Sequence, residues 1–185
     1  MTDTVCYKRH VKYDFLPFDD TRFAATHDAW SLDARNGLAF PSEVERLLQW
    51  ASDHREPSEH DSVAFGVFPA GKHVAAGICE VIIQRKSVKS KWVKMLRLHL
   101  KPSVDEQLQE GAPEAAMDVF TQSIAGSLDL QLAHKATTMK VYGRTSEQLA
   151  FLKALVVHIQ KHFEDKPASR IKATIEGRFL CTTVS

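Results

Sequence analysis

Between Ser62 and Leu132 the sequence runs hairpin, strand, proline, acidic connection and helix, and that order admits few folds. Val63, Phe65 and Val67 alternate with Ala64, Gly66 and Phe68, the period of two that divides side chains between the faces of a sheet. Pro69, Ala70 and Gly71 turn the chain. The return strand, Val74 to Ile83, is apolar almost throughout except at Glu80, as expected of a strand covered on both faces. After a basic connection, Arg85 to Lys91, a third strand places Leu96, Leu98 and Leu100 on one face and Met95, Arg97, His99 and Lys101 on the other. Pro102 ends it. The pattern predicts an open α/β sheet whose ligand site lies where the third strand gives out.

The flanking segments supply the covering layers. Val5 to Tyr13 reads as a first strand, and Asp19 or Asp20 caps a helix with Phe23, Ala24, His27 and Trp30 at helical spacing, ended by Asn36 and Gly37. Ser42 and Glu45 have the spacing of a capping box before the stripe Val44, Leu47, Leu48 and Ala51. A loop is expected from Pro102 to about Pro113, then a helix with Met117, Phe120, Ile124 and Leu128 on one face. Thr138 to Tyr142 reads as a strand. Thr145 and Gln148 cap the last helix, striped by Leu149, Leu152, Leu155, Val156, Ile159 and Phe163 and closed by Pro167. The tail, Ile171 to Thr183, is one bent strand or a hairpin turning at Gly177 and Arg178.

At 185 residues and 44% hydrophobic, the chain is long enough for one domain, 1–185, with a sizeable core. Cys6, Cys79 and Cys181 are far apart and suggest neither a disulfide framework nor a zinc ribbon. With no basic leader and no apolar run near the roughly 18 residues of a membrane span, a soluble, cytoplasmic protein with no membrane partner is expected. Net charge is only +1, yet between Glu80 and Asp105 every charged residue is basic: Arg85, Lys86, Lys89, Lys91, Lys94, Arg97 and Lys101. This stretch, 85–101, is either a solvated loop and strand end or a surface for an acidic partner. His158 and His162 lie four apart, but no Glu follows the first and no third ligand is apparent, so no metal is expected. No P-loop, nucleophile elbow or dinucleotide fingerprint is present.

The element order β-α-α-β-β-β-α-β-α-β resembles that of the GCN5-related N-acetyltransferases over nearly the whole chain. The meander Val67 to Gly77, the strand end Leu96-x-Leu98-x-Leu100-Lys101-Pro102 and the segment Thr145 to Leu152 are similar to that family's motifs. The resemblance implies an acyl-CoA N-acyltransferase-like α/β fold: a mixed, mostly antiparallel sheet of six to seven strands with about four helices. It further implies that acetyl-CoA lies between the fourth and fifth strands, with pantetheine on the backbone around Leu98 and Leu100. Its pyrophosphate would then lie on N–H groups of a loop matched by Gln109, Gly111 and Ala112. That loop here lacks the family's second glycine and its Arg, Pro113 removes a donor, and Glu106, Glu110 and Glu114 stand close by.

Where the family carries a general-acid Tyr this chain has Leu152, which leaves Tyr142 as a substitute or as a cross-strand packing residue. His99, or else Glu80, is the candidate general base, His99 being otherwise a half-exposed strand residue. Two readings follow. One is transfer of an acetyl group from acetyl-CoA to an amine on a small molecule or protein. The other is a non-catalytic module of the same fold that binds an acidic partner through its basic surface.

Overall fold

The structure is a computed structural model and describes residues 12–56, 62–84, 91–164 and 171–184. Its order is β1 (Tyr13–Pro17), α1 (Asp20–Arg35), α2 (Pro41–Asp53), β2 (Ser62–Pro69), β3 (Gly77–Ile83), β4 (Trp92–Leu100), α3 (Pro102–Gln109), α4 (Glu114–Ala133), β5 (Thr138–Tyr142), α5 (Ser146–Glu164), β6 (Ile171–Glu176) and β7 (Phe179–Val184). The seven strands form one sheet in the order β1-β2-β3-β4-β5-β7-β6. Every pairing is antiparallel except β4 with β5. The expected mixed, mostly antiparallel sheet is therefore present, and the tail is a hairpin.

Two cores lie on opposite faces of the sheet. On one, Val63, Phe65, Val67, Val93, Met95, Met139, Val141 and Leu180 meet Val119, Phe120 and Ile124 of α4 and Leu152 and Val156 of α5. On the other, Ala64, Phe68 and Ile78 meet Trp30 and Ala34 of α1 and Val44, Leu48 and Ala51 of α2. β2 feeds both cores, which is why its alternation is apolar on both registers. Polar anchors fix α1 over the hairpin: Trp30 Nε1 donates to the Ala75 carbonyl at 2.8 Å, and Thr26 Oγ1 accepts from the Ala75 N–H at 3.0 Å.

Several expectations are corrected. Most of the strand expected over Val5–Tyr13 lies outside the described residues, and β1 begins where that reading ended, because Tyr13–Pro17 pairs with Phe65–Pro69. α1 is capped by Asp19, whose side chain accepts from the Arg22 N–H. It buries Thr26, Trp30 and Ala34 and leaves Ala24 and His27 exposed. Ser42 does not cap α2: Pro41, with φ already helical, takes the first position and leaves Ser42 inside the helix. β3 starts at Gly77 rather than Val74.

The stretch after Pro102 is a helix, α3, not a loop, so the described residues hold five helices where about four were expected. Its first turn is held by Asp33 of α1, which accepts from the Ser103 N–H at 3.1 Å and pairs with Lys101 Nζ at 3.3 Å. Pro167 and the side chains of Ile159 and Phe163 lie outside the described residues.

The largest correction concerns β4. Glu80 pairs with Arg97 but its neighbour Val81 pairs with Met95, so Leu96 is the extra residue of a β-bulge. The bulge shifts the side-chain alternation by one. Val93 and Met95 before it, and Leu98 and Leu100 after it, all face α4, whereas Met95 had been expected on the polar face. Arg97 and His99 thereby join Glu80 on the α1/α2 face.

Candidate active site

β4 and β5 are paired only from Trp92 with Thr138 to Met95 with Val141. Beyond the bulge β4 stays on β3 and has no β5 partner. The Lys101 N–H donates to the Ala76 carbonyl at 2.9 Å, so in the alternation of an antiparallel ladder residues 99 and 101 turn their backbone groups to β3. Leu98 and Leu100 turn theirs into the gap between the strands.

A cleft of about 1070 Å³ occupies this gap and reaches both faces of the sheet. Leu98, Leu100, Ala116, Met117 and Phe120 line it on the α4 side. Glu80, Arg97 and His99 line it on the other, beneath Glu43, Arg46, Leu47 and Trp50 of α2. Arg144, Thr145, Glu147 and Gln148, from the β5–α5 corner, form a further wall. That corner is rigid. Gln148 Oε1 accepts from the N–H groups of Arg144 (2.9 Å) and Thr145 (3.4 Å), and Thr145 Oγ1 accepts from the Gln148 N–H at 3.2 Å, the reciprocal capping expected from the sequence.

His99 is a titratable group altered by this setting. Burial, then the positive charges of Arg97 and Arg144, lower its pKa below the usual 6.5 and keep the imidazole neutral at neutral pH. Glu80 lies 3.6 Å from Arg97 Nε. Tyr142 does not line the cleft: its ring packs against Phe179, its cross-strand partner, at 5.1 Å between centroids. Cys79 and Cys181 are buried free thiols, and burial pushes both up, Cys181 to about 11, so neither is a thiolate nucleophile.

Gln109, Gly111 and Ala112 also lie away from the cleft lining. Ala112 N–H donates to the Gln107 carbonyl at 2.8 Å and Gly111 N–H to the Leu108 carbonyl at 3.2 Å, with Gly111 at φ +90°. Those two bonds are a Schellman cap, so the segment ends α3 and its donors are spent. Gln109 Nε2 donates to Asp105 instead. Glu106, Glu110 and Glu114 are exposed and do not line the cleft.

Of the basic stretch, Arg85, Lys86 and Lys89 lie outside the described residues, Lys91 is exposed, and Lys94 Nζ sits 4.2 Å from the centre of the Trp92 ring. Lys101 is tied to Asp33. The side chains of His158 and His162 are likewise outside the description, and among the described residues no cluster of metal-binding side chains occurs. No described helix is long and apolar enough to cross a membrane. Reading the sequence did not single out Arg144, Trp50 or Met117 for the cleft. They come from three different elements, and no spacing along the chain links them.

A mixed seven-stranded sheet whose single parallel pair parts along β4, with two helices on one face and two on the other, has the acyl-CoA N-acyltransferase-like layout of the GCN5-related N-acetyltransferase fold. No family model matches the sequence, and no curated protein matches it. Among solved structures, an acetyltransferase from Thermus thermophilus is similar at 14% identity over 92% of this chain and 95% of its own, with a TM-score of 0.45. A GNAT family acetyltransferase from Brucella melitensis, in complex with acetyl-CoA, is 11% identical over 95% of this chain and 90% of its own, with a TM-score of 0.42.

Proposed function

We propose that the protein transfers an acetyl group from acetyl-CoA to an amine, with the chemistry in the gap between β4 and β5. The observation that carries this reading is the free backbone edge of Leu98 and Leu100 beside a His99 held neutral. An extended pantetheine can pair with that edge as a strand would, and the Leu98 N–H can polarise the thioester carbonyl. The amine nitrogen then attacks the carbonyl carbon as the carbon–sulfur bond breaks. His99 takes the proton the amine releases, and the departing thiolate takes one from solvent. Holding both substrates in one cleft supplies much of the rate, so a single modest base is sufficient. Glu80, on the same face, attracts the acceptor's ammonium, which loses a first proton to solvent before the amine attacks.

The diphosphate has no donors at Gly111 and Ala112. The first turn of α4, whose Ala116 lines the cleft, is one helix N-terminus next to it, and that of α5, whose Glu147 and Gln148 line it too, is another. Titration calorimetry with acetyl-CoA tests the reading. Saturable binding that is weakened by edge-blocking changes at Leu98 supports it, and no heat and no melting shift at millimolar acetyl-CoA overturns it.

The spent donors of the α3 cap favour a second reading, a non-catalytic module that uses the basic surface 85–101 for an acidic partner. It requires binding to a polyanion such as heparin that weakens steeply with salt, in a protein that ignores acetyl-CoA.

A further inference from the structure

We propose that the acceptor bound in this cleft carries a carboxylate beside its amine, gripped by the guanidiniums of Arg97 and Arg144, with an apolar group against Leu47 and Trp50. The inference rests on the acetyl-transfer reading only in calling this ligand an acceptor, because its binding is measurable without acetyl-CoA. Arg97 and Arg144 reach the cleft from different elements, β4 and the β5–α5 corner, and both act on the charge of His99. The Arg144 backbone is held on both sides: Arg178 donates to its carbonyl at 2.7 Å and Gln148 accepts from its N–H at 2.9 Å. Its guanidinium has no hydrogen-bond or ion-pair partner among the described residues. Arg97 has only Glu80, at 3.6 Å, longer than the roughly 2.7–2.9 Å of a charge-assisted hydrogen bond, and its side chain is 62% exposed.

Of the other carboxylates in the lining, Glu43, Asp105 and Glu147, none forms an ion pair with Arg97 or Arg144 among the described residues. Asp105 accepts from Gln109 Nε2 at 2.8 Å. Both guanidiniums are near enough to His99 to act on its charge, and the one ion pair that either makes among the described residues is the loose Arg97–Glu80 contact. A planar anion relieves this, and the fork of arginine matches a carboxylate. Glu80, on the same face, complements the ammonium of such a ligand. Glu80 and Glu43 in the same lining repel a phosphate dianion more than a carboxylate, which favours the singly charged group.

Calorimetry on the full chain, without acetyl-CoA, tests this with leucine and phenylalanine against leucinamide and phenylalaninamide. The free acids are expected to bind about tenfold tighter, the scale of one charge-assisted contact. In Arg97→Met and Arg144→Met that preference shrinks to under about threefold, and the lysine variants, which keep the charge but lose the fork, fall between. Amides binding as well as acids, acids binding the methionine variants unchanged, or no binding of either acid at about 10 mM overturns the proposal, as does tighter binding of phosphoethanolamine than of both acids. A preference for acids in a protein that ignores acetyl-CoA overturns acetyl transfer and leaves this inference standing. Acetyl-CoA binding without any preference for acids does the reverse.

Discussion

Arg178 Nε donates to the carbonyl of Gly143 at 2.8 Å, and the Gly143 N–H donates back to the carbonyl of Arg178 at 2.9 Å. The pair fastens the turn between β6 and β7 to the corner between β5 and α5, and that corner carries Arg144, Thr145 and Gln148 into the cleft. Packing is close there: a Cβ on Gly143 would lie 3.1 Å from Leu149 Cα.

Arg178→Ala removes a charged donor from two carbonyls, those of Gly143 and Arg144. The expected loss is about 1–3 kcal/mol of stability, read by urea denaturation. Ligand affinity in the cleft falls with it, because the Arg144 backbone is no longer held from that side.

His99 sets a pH dependence. Its folded pKa lies below 6.5, the value of an exposed imidazole, so its base form persists below that pH and the acidic limb of kcat/KM is expected below pH 6.5. A limb at or above 6.5 that does not follow the acceptor's own amine excludes His99 as the base. The stability sign follows from linkage. Below about pH 6.5 the unfolded chain takes up this proton before the folded one does, so stability falls as pH falls from there to the folded pKa. His99→Gln removes that part of the slope, as melting curves from pH 7 to 5 would record.

Gly111 is expected to matter for stability and not for cofactor affinity. At φ +90° an L side chain is strained even though no atom lies near the added Cβ. Gly111→Ala should cost about 1 kcal/mol and leave acetyl-CoA affinity unchanged by calorimetry. A lost affinity in a stable variant would return the diphosphate to this loop.

Gly126 is the point where α4 crosses β1, and a Cβ there would run into the Phe15 ring, which is itself stacked on Phe65 at 4.9 Å. Gly126→Ala is expected to destabilise by about 1–3 kcal/mol through overpacking. Phe15→Leu in the same chain should recover part of that loss, and additive costs in the double-mutant cycle would contradict the contact.

The sequence by itself determined most of the element order. The strands after Ser62, the stripe of α2, the Asp19 cap and the Thr145–Gln148 capping box are all set by residues within about four positions of one another, so local spacing reveals them. The strand that stops at a proline marked where a ligand site would lie, and the family resemblance brought Glu80, Leu98, His99 and Leu100 to attention.

Only the tertiary structure decided the rest. The bulge at Leu96 lets Met95 before it and Leu98 after it both face α4, and no local pattern marks the extra residue. The fate of Gly111 turned on whether Pro102–Gln109 is a helix, and Asp33, 70 residues away from Ser103, holds that helix's first turn. The convergence of Arg97, Arg144 and Trp50 on one cleft depends on where three separate elements dock against the sheet, which is a property of packing and not of spacing along the chain.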